Sequence, residues 1–137
     1  MRKVPLKLPK TPSYFSLVKK LDRIYSKFIR KSNADKNGMV RCATCGKCIL
    51  WQESDCGHFI NRKHMSTRFD HRNTAPQCRS CNRFDEGAKA EHAMYIEKTY
   101  GRKVLEELSR KKHMVQKWST FDLSMLIKEY EDKFKLL

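Results

Sequence analysis

The chain has 137 residues, with 30 Lys+Arg against 15 Asp+Glu and a formal net charge of +15. That length suits one domain with a modest core, and the charge points to a polyanionic partner, nucleic acid being the commonest. No apolar run approaches the ~20 residues a membrane-spanning helix needs, and the first residues lack the apolar stretch of a signal peptide, so no membrane partner is expected.

The charge is uneven: residues 1–41 hold 12 basic and 2 acidic residues, whereas residues 120–137 hold 3 and 4. A phosphate-facing surface therefore belongs to the first two thirds of the chain. Residues 1–12, with Pro5, Pro9 and Pro12 among basic side chains, predict an extended basic arm. Residues 13–137 then form a single domain, divided into an N-terminal helix at 13–32, a central metal-braced core at 40–87 and a helical part at 88–137.

Ser13 is a natural N-cap. Tyr14, Leu17, Val18, Leu21, Ile24, Tyr25 and Phe28 recur at helical spacing, and Lys19, Lys20, Arg23, Lys27, Arg30 and Lys31 fill much of the remaining face. That basic face suits a phosphate backbone. Asn33 to Gly38 reads as a turn. Residues 48–52 and 55–60 are expected to pair as a short hairpin, followed by a polar, basic loop over 61–76.

Cys42 and Cys45 form one Cys-x-x-Cys knuckle, and Cys78 and Cys81 form a second. Four thiolates so spaced suit one structural, tetrahedral Zn2+, which with its thiolates would lower the net charge to about +13. Cys48 extends the first knuckle and could compete as a ligand, but is expected as a small buried strand residue.

Between the knuckles lies Asp55-Cys56-Gly57-His58-Phe59, and Asn82 follows the last cysteine. A carboxylate and an amide oxygen suit a hard cation, Mg2+ or Mn2+, with His58 as general base for an attacking water. Strand pleating alone sends Asp55 and His58 to opposite faces; a bulge or kink at Gly57 is expected to bring them together. Arg62, Lys63, Arg68, Arg72, Arg79 and Arg83 are the expected nucleic-acid contacts, positioning phosphates without reading sequence. Phe69, in the basic loop, is the one aromatic singled out as a base-stacking candidate.

Arg79–Cys81 should open a helix. Further helices are predicted from Ala88 to Tyr100, ended by Gly101; around Val104, Leu105 and Leu108; and after a capping box at Ser119 to Asp122. The last carries Leu123, Leu126, Ile127, Tyr130, Phe134 and Leu137 on one stripe. The fold class is α+β.

The pattern Cys42-x-x-Cys45-Gly46, Asp55-x-Gly57-His58-Phe59, Arg72-Asn73, Gln77-Cys78-x-x-Cys81-Asn82 resembles the HNH, or ββα-metal, nucleases. From about Ser13 to the C-terminus the chain more closely resembles the NinG (Rap) recombination proteins of lambda-like phages, and the site layout is also similar to phage endonuclease VII. The resemblance implies a metal-dependent endonuclease that cuts Holliday junctions and related branched DNA such as D-loops. It gives Asp55 and Asn82 the catalytic metal, His58 the role of base, and Asn73 the structural role of fixing the loop that carries His58. Asp85 becomes a candidate further metal or water contact, by likeness to endonuclease VII. Where NinG-like proteins have His and Lys near positions 84 and 85, this chain has Phe84 and Asp85, and the Cys-rich N-terminal extension of lambda NinG is missing.

The two-fold character of a four-way junction makes a homodimer the economical assembly, with the stripes of the first and last helices as candidate interface or as monomer core. Recombination proteins are expected partners, and the cytoplasm of an infected bacterial cell the expected location. Two other readings fit the same residues: an HNH nuclease of linear duplex DNA, and a non-catalytic zinc-dependent nucleic-acid-binding module.

Overall fold

The computed structural model describes residues 2–8 and 11–137. Pro9 and Lys10 of the expected arm, and Met1, lie outside them; the described arm residues carry no regular element.

Helix α1 (Tyr14–Ser32) starts where Ser13 accepts the Ser16 N–H at 3.2 Å. Its buried stripe is Leu17, Val18, Leu21, Tyr25 and Ile29. Helix α6 (Thr120–Lys135) begins with a complete capping box, Ser119 accepting the Asp122 N–H and Asp122 accepting the Ser119 N–H. Its Leu123 and Ile127 close one core with Leu17, Val18 and Leu21. Leu21 and Leu123 are wholly buried, each worth about 2 kcal/mol of stabilisation. The buried part of each apolar stripe is thus used inside the monomer.

Four short strands follow α1. Strand β1 (Met39–Arg41) pairs antiparallel with β2 (Cys48–Leu50), and β3 (Asp55–His58) pairs antiparallel with β4 (Thr74–Gln77). The expected hairpin between 48–52 and 55–60 is therefore corrected: both segments contain strands, but they do not pair with each other. Trp51–Glu53 forms a 3-10 turn between them. The carbonyls of Trp51 and Ser54 accept Arg30 Nη1 at 3.2 Å each, which ties this connection to α1. The partner of β3 instead lies within the stretch expected to be loop, which also holds helix α2 (Met65–Arg68) and a 3-10 turn at His71–Asn73.

The β3–β4 ladder runs in unbroken register, Asp55 opposite Gln77 through His58 opposite Thr74. The bulge expected at Gly57 is absent. Gly57 is needed for space: a Cβ there would lie 1.8 Å from Gln77 Oε1, far inside contact distance. Cys48 is on β2 as expected but is exposed rather than buried. Phe69 packs edge-on against Tyr25, ring centroids 5.5 Å apart, beside the α1–α6 core, so it is no stacking platform.

After β4 come α3 (Arg79–Phe84), α4 (Lys89–Tyr100), α5 (Arg102–Lys112) and then α6. Ile60, Ile96 and Leu108 form a second core with Phe59, Tyr95, Val104 and Leu105 packed on it. The β3–β4 pair packs against α1, and α3 packs beside β3. This is a mixed α+β fold with short sheets.

Candidate metal centre and basic cleft

The two knuckles meet because the end of β1 is tied to β4. Ala43 N–H donates to Pro76 O at 2.9 Å, one residue before Gln77-Cys78. Cys42 N–H donates to Lys47 O at 2.8 Å and Gly46 N–H to Cys42 O at 2.9 Å, a tight turn made by Gly46 at φ +80°. In the second knuckle, Cys78 N-caps α3. The four sulfurs lie within 4.8 Å of one another, and Cys45 Sγ is 3.7 Å from Cys78 Sγ. Tetrahedral zinc with bonds of ~2.3 Å places its sulfurs at about that separation. Burial opposes ionisation of Cys42, yet the Thr44 hydroxyl and the backbone N–H groups of Cys45, Cys78 and Thr44 bring its thiol down to about 6. Cys42, Cys45, Cys78 and Cys81 could therefore hold Zn2+. Cys48 is outside the cluster.

Beside this centre opens a cleft of about 660 Å³, walled by β3, α1, α3 and the turn before α4. Asp55, His58 and Asn82 all line it. Asp55 is the first residue of β3, so its side chain reaches α3: Asn82 Nδ2 donates to Asp55 Oδ2 at 3.0 Å. Arg83 adds Nε to Oδ2 at 2.9 Å and Nη2 to Oδ1 at 3.0 Å. Burial pushes the Asp55 carboxyl up, but the hydrogen bonds from Arg83 and Asn82 outweigh it and hold it below the usual carboxylate range. The oxygen donors the pair could offer a cation are the Asp55 carboxylate and Asn82 Oδ1. In the observed arrangement, however, Asn82 turns its amide nitrogen to the carboxylate and Arg83 supplies the positive charge.

His58, at the other end of β3, has Nε2 3.0 Å from Arg68 O. A carbonyl only accepts, so Nε2 carries the proton and Nδ1 keeps its lone pair. Burial pushes this imidazole down to about 4; the Arg68 carbonyl opposes the shift and the Arg62 charge adds to it. The ring is therefore neutral at pH 7, oriented, and able to accept a proton at Nδ1.

Asn73 is wholly buried. Its Oδ1 accepts Ile60 N–H at 2.8 Å, and its Nδ2 donates to Ile60 O at 3.0 Å and Thr67 O at 3.1 Å. It thus clamps the segment between His58 and the Arg68 carbonyl.

The expected phosphate contacts separate into two groups. Arg62, Arg79 and Arg83 line the cleft, and Lys63 is exposed beside Arg62. Arg68 instead forms a two-point pair with Asp22 and donates to Arg62 O. Arg72 is bound by Asp70 and Glu107. Asp70 is a hub that sequence reading missed: it also accepts Lys111 Nζ at 2.8 Å. Burial opposes its ionisation, but the Arg72 and Lys111 hydrogen bonds hold it far below the usual carboxylate range. Arg68 and Arg72 thus hold the loop in place.

Asp85 caps the end of α3 and is not part of the cleft lining; the neighbouring Glu86 is. The turn reaches Lys89 through three left-handed residues, Glu86 (φ 47°), Gly87 (φ 79°) and Ala88 (φ 49°), a conformation costly for the two non-glycines. Lys89 then donates to His58 O. Arg30 and Lys89 are cleft residues absent from the expected set. Arg30 gave a signal in its place on the basic face of α1; for Lys89, chain position alone gave none.

The chain is thus a small, strongly basic α+β protein whose four clustered cysteines, beside a cleft, could hold a metal ion. The chain belongs to the NinG family: the family model described as Bacteriophage Lambda NinG protein matches residues 2–137. It is also similar to Protein ninG of Salmonella phage P22, 27% identical over 119 residues that cover 86% of this chain and 56% of that relative. The chain therefore spans a little over half the length of that curated relative. No solved structure matches. Among the described residues no helix is long and apolar enough to cross a membrane.

Proposed function

We propose that the protein is a metal-dependent, structure-selective DNA endonuclease that cuts branched DNA such as Holliday junctions and D-loops during phage recombination. The observation that carries this reading is that Asp55, Asn82 and His58 all line one basic cleft beside the four-cysteine cluster, Asp55 and Asn82 in direct contact and His58 at the other end of β3. The order β3–β4–α3, with a cysteine knuckle opening the helix, supports an HNH-like, ββα-metal core.

In this mechanism His58 Nδ1 takes the proton of a water attacking the scissile phosphorus. A pKa near 4 is low for a base at neutral pH; burial is its main cause and the Arg62 charge a smaller one. A phosphodiester in the cleft offsets the Arg62 part and moves the imidazole upward. Arg62, Arg79 and Lys89 hold the phosphate oxygens. Asp55 and Asn82 would hold Mg2+ or Mn2+, which when bound neutralises charge on the phosphate and the departing oxygen. Cys42, Cys45, Cys78 and Cys81 would hold Zn2+, fixing the start of α3 and hence Asn82. A homodimer would supply two such clefts to the two strands of a junction. Single-strand-associated recombination proteins are the proposed partners and the infected cell's cytoplasm the site of action.

The test is a labelled four-way junction and a linear duplex of matched sequence, with and without magnesium. Wild type should cut the junction in preference, and His58→Ala should lose about 10²–10⁴-fold in rate while still binding. Equal cutting of duplex would instead favour a linear-DNA nuclease. The filling of Asp55 by Asn82 and Arg83 is what a non-catalytic binding module would also show; that reading requires salt-sensitive binding and no nicking in any metal.

A further inference from the structure

The cleft does not end at His58. Asn61 and Lys89 line both it and a second hollow of about 330 Å³ between the segment after β3 and the C-terminal end of α5. The polar side chains of that hollow are Asn61, His64, Lys89, Ser109, Lys112 and His113. Its lining contains no carboxylate, whereas the main cleft contains Asp22, Asp55 and Glu86. Among the described residues, Lys63, Lys89 and Lys112 make no ion pair, although their neighbour Lys111 is held by Asp70. The His64 imidazole is pushed down by partial desolvation and by the adjacent charges of Lys112, Lys63 and His113, as expected where positive potential has no internal counter-charge. Phe59 and Ile60 form the floor. Every polar group in the hollow can donate a hydrogen bond or carry positive charge, which suits a phosphate diester.

We propose that this hollow is a second backbone-phosphate subsite, seating the phosphate of the same nucleic-acid strand that flanks the one facing His58. The strand would pass over Asn61 and Lys89, which both sites share. The assignment rests on the nucleic-acid reading above, but it requires only binding, not cutting.

The experiment uses the full-length, zinc-loaded chain without added magnesium, with a fluorescein-labelled four-way junction and a labelled oligothymidylate as probes, titrated at several salt concentrations. The double variant Lys112→Ala/His113→Ala should bind both probes about tenfold more weakly, with a salt slope shallower by about one to two. A control pair on α6, Lys128→Ala/Lys135→Ala, should bind like wild type. If the alanine pair melts early, Lys112→Gln/His113→Gln removes the charges while keeping long side chains. Unchanged affinity and slope in the hollow variant, or an equal loss in the α6 control, overturns the subsite. Wild type that binds with the expected slope but cuts nothing in magnesium refutes the nuclease reading and leaves the subsite standing. Junction cutting by wild type together with unaltered binding by the double variant does the reverse.

Discussion

Arg83 holds Asp55 by two hydrogen bonds, at 2.9 and 3.0 Å, so the guanidinium occupies both carboxylate oxygens that a catalytic cation would use. Arg83 is more than half exposed, so solvent screens the pair and makes it easy to displace. Arg83→Ala should therefore bind Mn2+ a few-fold more tightly, read by electron paramagnetic resonance titration, with little change in melting temperature. Asp55→Asn should bind Mn2+ more weakly than wild type. Equal affinity of Arg83→Ala and wild type would show that the guanidinium does not compete for the carboxylate.

The four-cysteine cluster ties the end of β1 to the start of α3, and neither sheet exceeds two strands. Sheets this small are marginal alone, so metal binding should contribute directly to folding. Cys78→Ser should lose stoichiometric zinc, measured by atomic absorption, and lower the unfolding midpoint by several degrees or abolish a cooperative transition. Cys48→Ser, outside the cluster, should match wild type in both. Chelator treatment of wild type should reproduce the Cys78→Ser behaviour.

What could be read without coordinates was local. The Ser13 and Ser119 caps, the helical stripes and the Cys-x-x-Cys spacing each sit within a few residues, and the helices and the cysteine cluster followed from them. Strand pairing was not local: β4 contains Pro76, has four buried residues and shows no alternating pattern, so nothing in its sequence marked it as the partner of β3. The same distance hid the fate of two arginines. Arg68 is engaged by Asp22, 46 residues earlier in the chain, and Arg72 by Glu107, 35 residues later. Gly57 was noticed for its flexibility, whereas its role is set by the Gln77 side chain lying across it. A strand, loop and helix pinned by a metal predict that Asp55 and Asn82 lie near each other; their direct hydrogen bond follows from the folded geometry alone.

His58 and His92 are both buried, and burial is the main cause pushing each down to about 4. In the unfolded chain each titrates near 6.5. Between pH 6.5 and 4 the unfolded state thus binds up to two more protons than the native state, so stability rises with pH across that window. The contribution is complete above about pH 6.5 and is lost as pH falls towards 4, with a maximum slope of about 2.7 kcal/mol per pH unit. Among the described residues His92 has no hydrogen-bond partner at either ring nitrogen, and it lies among the rings of Phe59 and Tyr95. His92→Phe should roughly halve the slope. Urea unfolding at pH 7, 6 and 5 with zinc in excess measures it, the zinc-linked protons being common to both proteins.

Asn73 makes three hydrogen bonds to the backbone of Ile60 and Thr67; Asn73→Ala removes all three, although the Thr67 carbonyl keeps the Asp70 N–H. Unmade bonds at the buried Ile60 backbone groups cost about 1 kcal/mol apiece, so the expected loss is about 2 kcal/mol or more by urea unfolding. Asn73→Asp keeps the acceptor for Ile60 N–H but removes both donors and buries a charge, so it should be no more stable than the alanine variant. The damage should not stop at stability. The clamped segment runs from His58 to Arg68, whose carbonyl receives the His58 Nε2 proton. Freed from Asn73, that carbonyl is less firmly placed, and the His58 tautomer loses its bias. Nitrogen chemical shifts of the His58 ring should move from a single protonated-Nε2 state towards an average of the two neutral forms. Protection of the Ile60 amide from hydrogen exchange should fall in parallel. A destabilised variant with an unaltered His58 tautomer would confine Asn73 to holding the fold and remove it from the placement of the base.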